Sequence, residues 1–472
     1  MADSDMTRET ILSNTMVWCV ACAKAEPARV VARVEGVFLE RLCAAQGPEP
    51  ILLAASESWY RSRAMRPRSI QRPVHPKAAR EGCPRDCGPC TGHLADLRLP
   101  IFSITNVCNL DCPICFTHNR PDQAYHKSLE DVERIADRIL ERNPDQTIVD
   151  LTGGEPTLHP QLPEIVALLR RKGFARVMVN TNGMRLARDR ELAQALARHD
   201  AHVVLSLDTL DPQRSRTIHG ADIVEAKERC LEMLQEHSIA TTVIFVAIKG
   251  INESELAPLA GRLLARDHVL SITVQNMAYT GANGSNFAGG GRIAMDEVET
   301  LLCEVPGVEA GDFLTPAGAH PLCYSMAWFA ADGGRLLSLG KILPRKRLEE
   351  SSAGSYLPRL DAGLMEDFQQ GLARAWSEGC DPQDLKVLRR ISLVAQDPAL
   401  SEADRSRKLE RSVKMVCVHP HMDGSNFDLD RIAHCGDLVP DESGSMVPAC
   451  SYNLLYRERD ERFWKPAAQV AP

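Results

Sequence analysis

Residues 105–119 read TNVCNLDCPICFTHN and place three cysteines, Cys108, Cys112 and Cys115, directly after an apolar run. Thiolates bind iron–sulfur clusters, and each iron of a [4Fe-4S] cluster takes one terminal ligand. Three local thiolates would therefore leave one iron open to a small molecule. The spacing indicates a reactive cluster rather than an electron store. A zinc site with a distant fourth ligand is the alternative.

The composition is that of a folded protein rather than a disordered one. Hydrophobic residues make up 44% of the 472 residues, charged residues make up 25%, and the formal net charge is -8. No basic field that would attract nucleic acid is present. The N-terminus has no signal-peptide pattern, and no apolar run approaches the roughly 18 residues that span a membrane. We therefore expect a cytoplasmic protein with no transmembrane segment and no nucleic-acid partner.

The chain contains 16 cysteines, which reducing cytoplasmic conditions would keep from pairing as structural disulfides. Metal or iron–sulfur ligation is the leading interpretation of such a number. Cys230 and Cys303 lie singly in helix-like segments and are predicted to be small buried core residues.

Strand-like and helix-like segments alternate from Leu99 onward. The run LPIFSIT is followed by LEDVERIADRILER, whose apolar residues recur every three or four positions, and five further strand-like runs follow up to residue 281. Such a repeat predicts an α/β fold with a parallel sheet and helices outside it, either an open sheet or a full or partial barrel.

Chemistry-bearing segments follow the predicted strands. The cysteine motif comes after the first strand, GGEP after the second, NTNG after the third, and SLD ends the fourth. In both architectures the connecting loops converge at the carboxyl ends of the strands. These segments are therefore predicted to form one site.

Cys108, Cys112 and Cys115, followed by Phe116, resemble the signature of the radical S-adenosylmethionine (SAM) superfamily. The resemblance implies a partial (β/α)6 barrel, a [4Fe-4S] cluster, and SAM bound at the open iron and cleaved to a 5'-deoxyadenosyl radical. It also implies cofactor-binding roles for Gly153, Gly154, Glu155, Pro156, Asn180, Asn182, Ser206, Asp208 and Gln275. Taken singly, GGEP is also typical of an ordinary turn, and the SLD residues of a loop cap.

Two further cysteine groups precede the barrel. Cys83, Cys87 and Cys90 repeat the spacing of the opening motif and predict a second cluster, with zinc as the alternative. Cys19, Cys22 and Cys43 resemble part of a rubredoxin-like or zinc-ribbon site for one iron or zinc ion. A tetrahedral site needs a fourth ligand, which the sequence does not identify.

A last group lies in the tail, where Cys323, Cys417, Cys435 and Cys450 are predicted to form a four-thiolate auxiliary site. The alternative is a set of buried thiols with a core histidine at position 419 or 421. One or two auxiliary [4Fe-4S] clusters are therefore expected in addition to the first cluster.

The segments GCPRDCG, HMDGSNFDLDR and PACSYN resemble one branch of the superfamily, which includes tetraether lipid synthase and archaeal pterin methyltransferase-like enzymes. The predicted organisation is a cysteine-rich N-terminal module (1–97), a radical SAM core (98–281) and a C-terminal auxiliary module (282–472). The main functional hypothesis is C–C bond formation on a lipid-like substrate. The alternatives are radical methyl or methylene transfer to a pterin or other heterocycle, and an iron–sulfur sensor or scaffold. Flavodoxin or ferredoxin is the expected electron donor.

Overall fold

A computed structural model of the protein describes residues 9–66, 68–117, 124–332, 334–354, 356, 358, 361–441, 445–457 and 460. The end of the opening motif, residues 118 and 119, therefore lies outside the described residues. None of the helices described is long and apolar enough to cross a membrane.

The N-terminal region forms an antiparallel sheet of its own, in the order β1-β2-β3-β4. One helix follows this sheet and packs beside it. The elements are β1 (Thr10–Cys19), β2 (Lys24–Arg33), β3 (Gly36–Arg41), β4 (Pro50–Ala54) and α1 (Glu57–Ala64).

The predicted α/β core is confirmed: six consecutive strands pair in parallel and are connected by helices. The first strand is almost wholly buried, which suits a central strand of a parallel sheet. The elements are β5 (Leu99–Thr105), α2 (Leu129–Arg142), β6 (Ile148–Gly153), α3 (Leu162–Arg171), β7 (Arg176–Thr181), α4 (Arg190–Arg198), β8 (His202–Ser206), α5 (Pro212–His219), α6 (Val224–Glu236), β9 (Thr241–Ala247), α7 (Leu256–Leu264) and β10 (Val269–Asn276).

The helices cover the outside of this sheet because each carries an apolar stripe. In α2 the stripe is Val132, Ile135, Ala136 and Ile139, all buried against the sheet, and Ser128 caps the helix by accepting from the Asp131 N–H at 3.1 Å. A second apolar layer on the inner face contains Leu99, Ile148, Met178 and Val204.

The C-terminal region contributes further strands to the same sheet. The remaining helices and strands are α8 (Met295–Leu302), β11 (Ser325–Asp332), β12 (Arg335–Ser338), α9 (Arg345–Ser351), α10 (Ala362–Ser377), α11 (Pro382–Gln396), α12 (Glu402–Glu410), β13 (Val413–Val418), α13 (Leu429–Ala433), β14 (Asp437–Pro440), β15 (Met446–Pro448) and the short α14 (Ala449–Ser451), which continues into a π-helical turn, Tyr452–Tyr456. Short 3-10 turns occur at Pro156–Leu158, Glu253–Glu255, Gly284–Asn286, Ala310–Asp312 and Leu339–Lys341.

Two of the C-terminal strands extend the parallel barrel at both edges. Strand β13 pairs in parallel with β10, and β14 pairs in parallel with β5. The full sheet order is β12-β11-β13-β10-β9-β8-β7-β6-β5-β14-β15. The sheet therefore crosses the module boundary predicted at residue 281, because the edge strands come from the tail.

Hydrogen bonds from two tyrosines join the two edges of this curved sheet. Asp437, the first residue of β14, accepts from the hydroxyl of Tyr324, which directly precedes β11, and from that of Tyr356 at 2.5 Å. The two hydroxyls are themselves 2.6 Å apart, and Asp437 is 4% exposed. Both oxygens of this buried carboxyl are thereby satisfied inside the protein.

We predict that Tyr324→Phe lowers the free energy of unfolding by about 1–3 kcal/mol, because a buried carboxyl oxygen loses its donor. Urea denaturation of the anaerobic protein measures the change. Tyr456→Phe is the matched control, since that hydroxyl donates to the carbonyls of Pro84 and Arg85 near the surface, where water replaces it. An equal loss in both variants would contradict a special role for the Tyr324 bond.

Candidate active site

The inner face of the barrel encloses a cavity of about 360 Å³. Side chains from the parallel strands and from the loops at their carboxyl ends line it. Among the residues predicted from the sequence, the cavity brings together Cys108, Cys112, Cys115, Gly153, Gly154, Glu155, Asn180, Asn182, Ser206, Asp208, Gln275 and Cys417. Pro156 is buried at the start of its 3-10 turn, outside this lining.

The cysteine loop after β5 packs directly against the GGEP loop after β6. The Gly154 N–H donates to Thr105 at 2.8 Å, and the Glu155 N–H donates to Val107 at 2.7 Å. Gly153 has φ +140°, and a Cβ on it would collide with the Thr105 carbonyl oxygen. Glycine is required here because the two backbones approach too closely for a side chain.

A glycine-rich segment, residues 281–284, holds the other side of the cysteine loop. The Gly284 N–H donates to the Cys115 carbonyl at 2.9 Å, and the Asn283 amide donates to the Cys112 carbonyl at 3.1 Å. A Cβ on Gly281 would collide with the backbone of Phe116. This segment lies at the boundary predicted between the core and the C-terminal module, and its bonds to the cysteine loop make it part of the site.

Glu155 links the ends of β6 and β7. Its carboxylate accepts from the Thr157 N–H at 3.0 Å, the Thr181 hydroxyl at 2.7 Å and the Asn182 N–H at 2.7 Å, and the residue is 1% exposed. These bonds fix the NTNG segment beside the GGEP loop. Direct contact between Glu155 and SAM stays a prediction.

Lys227 is a site residue that the sequence reasoning missed. Its ammonium group, carried by α6, donates to the carbonyls of Asn182 and Ser206, both at 2.6 Å, and to the Ser206 hydroxyl at 3.1 Å. Burial lowers its pKa, and the carboxyl of Asp208 acts in the opposite direction. A lone Lys on an amphipathic helix carries no sequence signal for this role.

His219, also missed, connects Asp208 to the cysteine loop. Its Nε2 lies 3.4 Å from Asp208 Oδ2, and its Nδ1 lies 3.8 Å from the Cys112 sulfur. Burial lowers the pKa of His219 to about 3 and raises that of Asp208 to about 6. The imidazole is therefore neutral at physiological pH.

The three thiols of the opening motif are partly buried. Burial raises the pKa of Cys108 to about 11 and of Cys112 to about 12, and repulsion among the three thiolates adds to this effect. Thiolates so gathered are stabilised when a positively charged metal centre replaces their protons. The donor set and the open cavity beside it fit a cluster with one exposed iron.

Asp150 and Asn180 form a polar pair deeper in the cavity. The Asn180 amide donates to Asp150 at 2.6 Å, and burial raises the pKa of Asp150 to about 8. The sequence signal was a single aspartate within the apolar strand TIVDLTGG, which the prediction of the site did not use. Asn180, predicted to contact the cofactor, is thus held by a carboxyl of the cavity.

Cys19, Cys22 and Cys43 come close enough to bind one metal ion. Their sulfurs all lie within 4.8 Å of one another, with 3.9 Å between Cys19 and Cys43 and 3.5 Å between Cys22 and Cys43. A tetrahedral site with Zn–S bonds of about 2.3 Å places its sulfurs about 3.8 Å apart. No fourth cysteine, histidine or carboxylate joins this group among the residues described.

Cys83, Cys87 and Cys90 lie in one loop that packs on the C-terminal residues. Cys83 and Cys90 are electrostatic neighbours of Cys87, whose pKa burial raises to about 12. The Cys87 thiol donates to the Ser451 hydroxyl at 2.9 Å. This group therefore adjoins Cys450, the residue before Ser451.

Of the four tail cysteines, the structure brings three together. Cys323 and Cys450 are electrostatic neighbours of Cys435, and the Cys450 sulfur lies 3.6 Å from His421 Nδ1. Cys417 has no hydrogen bond or charge interaction with these thiols in the described part of the chain. It lies in β13, where strand alternation turns its side chain towards the cavity. The prediction of a four-thiolate set is therefore not supported by this placement.

Comparison with known proteins gives one match to part of the chain and one match to nearly all of it. Residues 102–263 match the family model of the Radical SAM superfamily. The chain is 23% identical to 7,8-dihydro-6-hydroxymethylpterin dimethyltransferase of Methanocaldococcus jannaschii, with 96% of each chain covered.

Two further matches each cover less than half of the chain. GTP 3',8-cyclase of Chlorobaculum tepidum is 29% identical over 36% of this chain and 51% of its own length, so the chain spans about half of that relative. The crystal structure of Streptococcus suis SuiB bound to S-adenosylmethionine covers 45% of this chain and 48% of its own, with 18% identity and a TM-score of 0.38.

We predict that Cys112→Ala removes about four iron atoms per chain, because a [4Fe-4S] cluster loses one of its three ligands. Metal analysis after anaerobic reconstitution measures the loss. Cys303→Ala is the matched control and should retain the wild-type iron content, since Cys303 packs against the hydrophobic core. Unchanged iron content in Cys112→Ala would contradict the assignment of this loop as a cluster site.

We predict that Cys43→Ser lowers the metal content by about one zinc or iron ion per chain, because two neighbouring thiolates cannot complete a tetrahedral site. Mass-spectrometric metal analysis of the purified protein tests this. Cys380→Ser, at a cysteine outside these groups, should leave the metal content unchanged. If Cys43→Ser also leaves it unchanged, the three thiols hold no ion.

Proposed function

Because this chain belongs to the radical SAM superfamily and is a radical SAM enzyme, we propose that it transfers a methyl group to a pterin or related nitrogen heterocycle. The observation that carries the proposal is the similarity over 96% of both chains to a protein named as a pterin dimethyltransferase. The cofactors of this family are a [4Fe-4S] cluster and SAM.

The residues present fit these cofactors. In our proposal Cys108, Cys112 and Cys115 hold the cluster, which supplies the electron that cleaves SAM when both are bound. The strand-end segments would surround SAM, and the residues proposed to contact it are Gly153, Gly154, Glu155, Asn182, Ser206, Asp208 and Gln275.

The chain's own residues would keep this site rigid and dry. Glu155 fixes the end of β7, and Lys227 fixes the ends of β7 and β8, both through bonds to backbone groups. The neutral His219 beside Cys112 adds no positive charge to the cluster loop. A rigid site that excludes water protects reactive species from side reactions.

Two polar side chains of the cavity lining support a heterocyclic substrate in this proposal. Asp150 and Asn180 line the cavity with buried hydrogen-bonding groups, and apolar chains leave such groups uncompensated. The similarity to the pterin dimethyltransferase does not support the hypothesis of C–C bond formation on a lipid-like substrate. Overall, one C–H bond of the ring would be replaced by a C–CH3 bond at the expense of two SAM molecules and two electrons from the flavodoxin or ferredoxin. One SAM would give its methyl group and become S-adenosylhomocysteine, and the other would be cleaved to methionine and 5'-deoxyadenosine, which carries away the hydrogen of the broken C–H bond.

The other cysteine groups are proposed as auxiliary metal sites. The Cys83 loop adjoins Cys450. His421 lies next to Cys450, and its ring stacks on that of Phe116 in the cavity, with 5.7 Å between the ring centroids. Such an arrangement would carry electrons between a flavodoxin or ferredoxin and the cavity.

The test is anaerobic turnover of the reconstituted, reduced protein with SAM and 6-hydroxymethyl-7,8-dihydropterin, with products identified by mass spectrometry. We expect a methylated pterin and S-adenosylhomocysteine. A parallel reaction with a lipid extract should give no new carbon–carbon bond. Formation of 5'-deoxyadenosine alone, with a lipid product and no methylated pterin, would contradict the proposal and favour the lipid hypothesis. If SAM remains intact, the result would favour the alternative that the protein is an iron–sulfur sensor or scaffold.

A further inference from the structure

Asp150 is a buried carboxyl of the cavity whose hydrogen bonds within the protein are incomplete. It is 6% exposed, and its Oδ2 accepts from the Asn180 amide at 2.6 Å. Its Oδ1 has no hydrogen-bond partner among the residues that the structure describes. A buried acceptor without a donor destabilises the folded protein. A ligand that supplies donors would remove this destabilisation.

Another buried carboxyl of the cavity, Asp437, shows the contrast. Asp437 accepts from two tyrosine hydroxyls, and these bonds close the barrel. Asp437 therefore has a structural partner for each oxygen, whereas Oδ1 of Asp150, a residue of the cavity lining, has no partner among the described residues. Among the buried carboxyls that line the cavity, Asp150 is the one with an oxygen that no described residue satisfies.

The position of Asp150 suits the edge of a flat ring. It precedes Gly153 by three residues in β6, which corresponds to about 10 Å along a strand. Apolar side chains of Met178 and Val204 line the same cavity. These can contact the faces of a ring while the carboxyl contacts its edge, as in most small-molecule sites. The opposite edge of the ring would then point towards the cysteine loop.

We infer that Asp150 binds the edge of a pterin formed by the ring N3–H and the 2-amino group, and that Asn180 positions the carboxyl for this contact. The inference rests on the proposed function. Two oxygens with about four acceptor sites can take both ring donors while keeping the Asn180 bond. Donors at the charged form also lower the pKa of a carboxyl, so binding would favour the carboxylate.

The test compares two ligands that differ in the substituent at ring position 2. Equilibrium binding of 6-hydroxymethyl-7,8-dihydropterin and of its analogue with oxygen in place of the 2-amino group is measured anaerobically on the SAM-loaded holoenzyme. The wild-type protein should bind the pterin about tenfold or more tightly than the 2-oxo analogue. Asp150→Asn should reverse this order, because an amide offers one donor and one acceptor, which match the 2-oxo group and N3–H.

Asp312→Asn is the matched control, since Asp312 is also buried but accepts from the Glu309 N–H at 2.8 Å outside the cavity. It should keep the wild-type preference. A folded Asp150→Asn protein, with wild-type iron content and melting temperature, that still prefers the pterin would overturn the inference and leave the proposed function standing. Wild-type protein that binds neither compound would overturn both. Should Asp150→Asn not fold, equal wild-type affinity for the two compounds would overturn the inference by itself.

Discussion

The close backbone contact between the loops after β5 and β6 is the constraint on which the rest of the site depends. Two hydrogen bonds, from Gly154 to Thr105 and from Glu155 to Val107, hold the GGEP loop against the start of the cysteine loop. Only glycine permits that approach at residues 153 and 154. Once Glu155 is held there, its carboxylate fixes the end of β7, and Lys227 extends the connection to β8. The site is therefore a set of mutually bonded strand ends rather than separate loops.

The cysteines divide into groups with different chemistry because their spacings in space differ. Cys19, Cys22 and Cys43 are packed as tightly as the ligands of a single ion. The other cysteine groups do not form such a tight set among the described residues, and their assignment to iron–sulfur clusters stays a prediction. The Cys83 loop meets the tail at Ser451, beside Cys450, so the N-terminal and C-terminal cysteines form neighbouring sites.

Local patterns made much of the fold predictable. The alternation of strand and helix periods identified the six parallel strands, and the segments at their ends identified the parts of the cavity lining that come from the cysteine, GGEP, NTNG and SLD motifs. The sequence could not predict that β13 and β14 would extend the barrel, because pairing between strands so distant in the chain depends on tertiary packing. Lys227, His219 and Asp150 were missed for the same reason: each is a single polar residue whose role appears only when other elements surround it. Cys417 was grouped with the tail thiols because spacing alone cannot show which face of a strand a cysteine occupies.

The central claim is that Cys108, Cys112 and Cys115 hold a [4Fe-4S] cluster with one iron open to SAM at the end of the cavity. Electron paramagnetic resonance of the reduced holoenzyme, recorded with and without SAM, tests it most directly. The account predicts that SAM changes the signal of one cluster and that this change is absent from the Cys112→Ala protein. A signal that is identical with and without SAM would contradict the account.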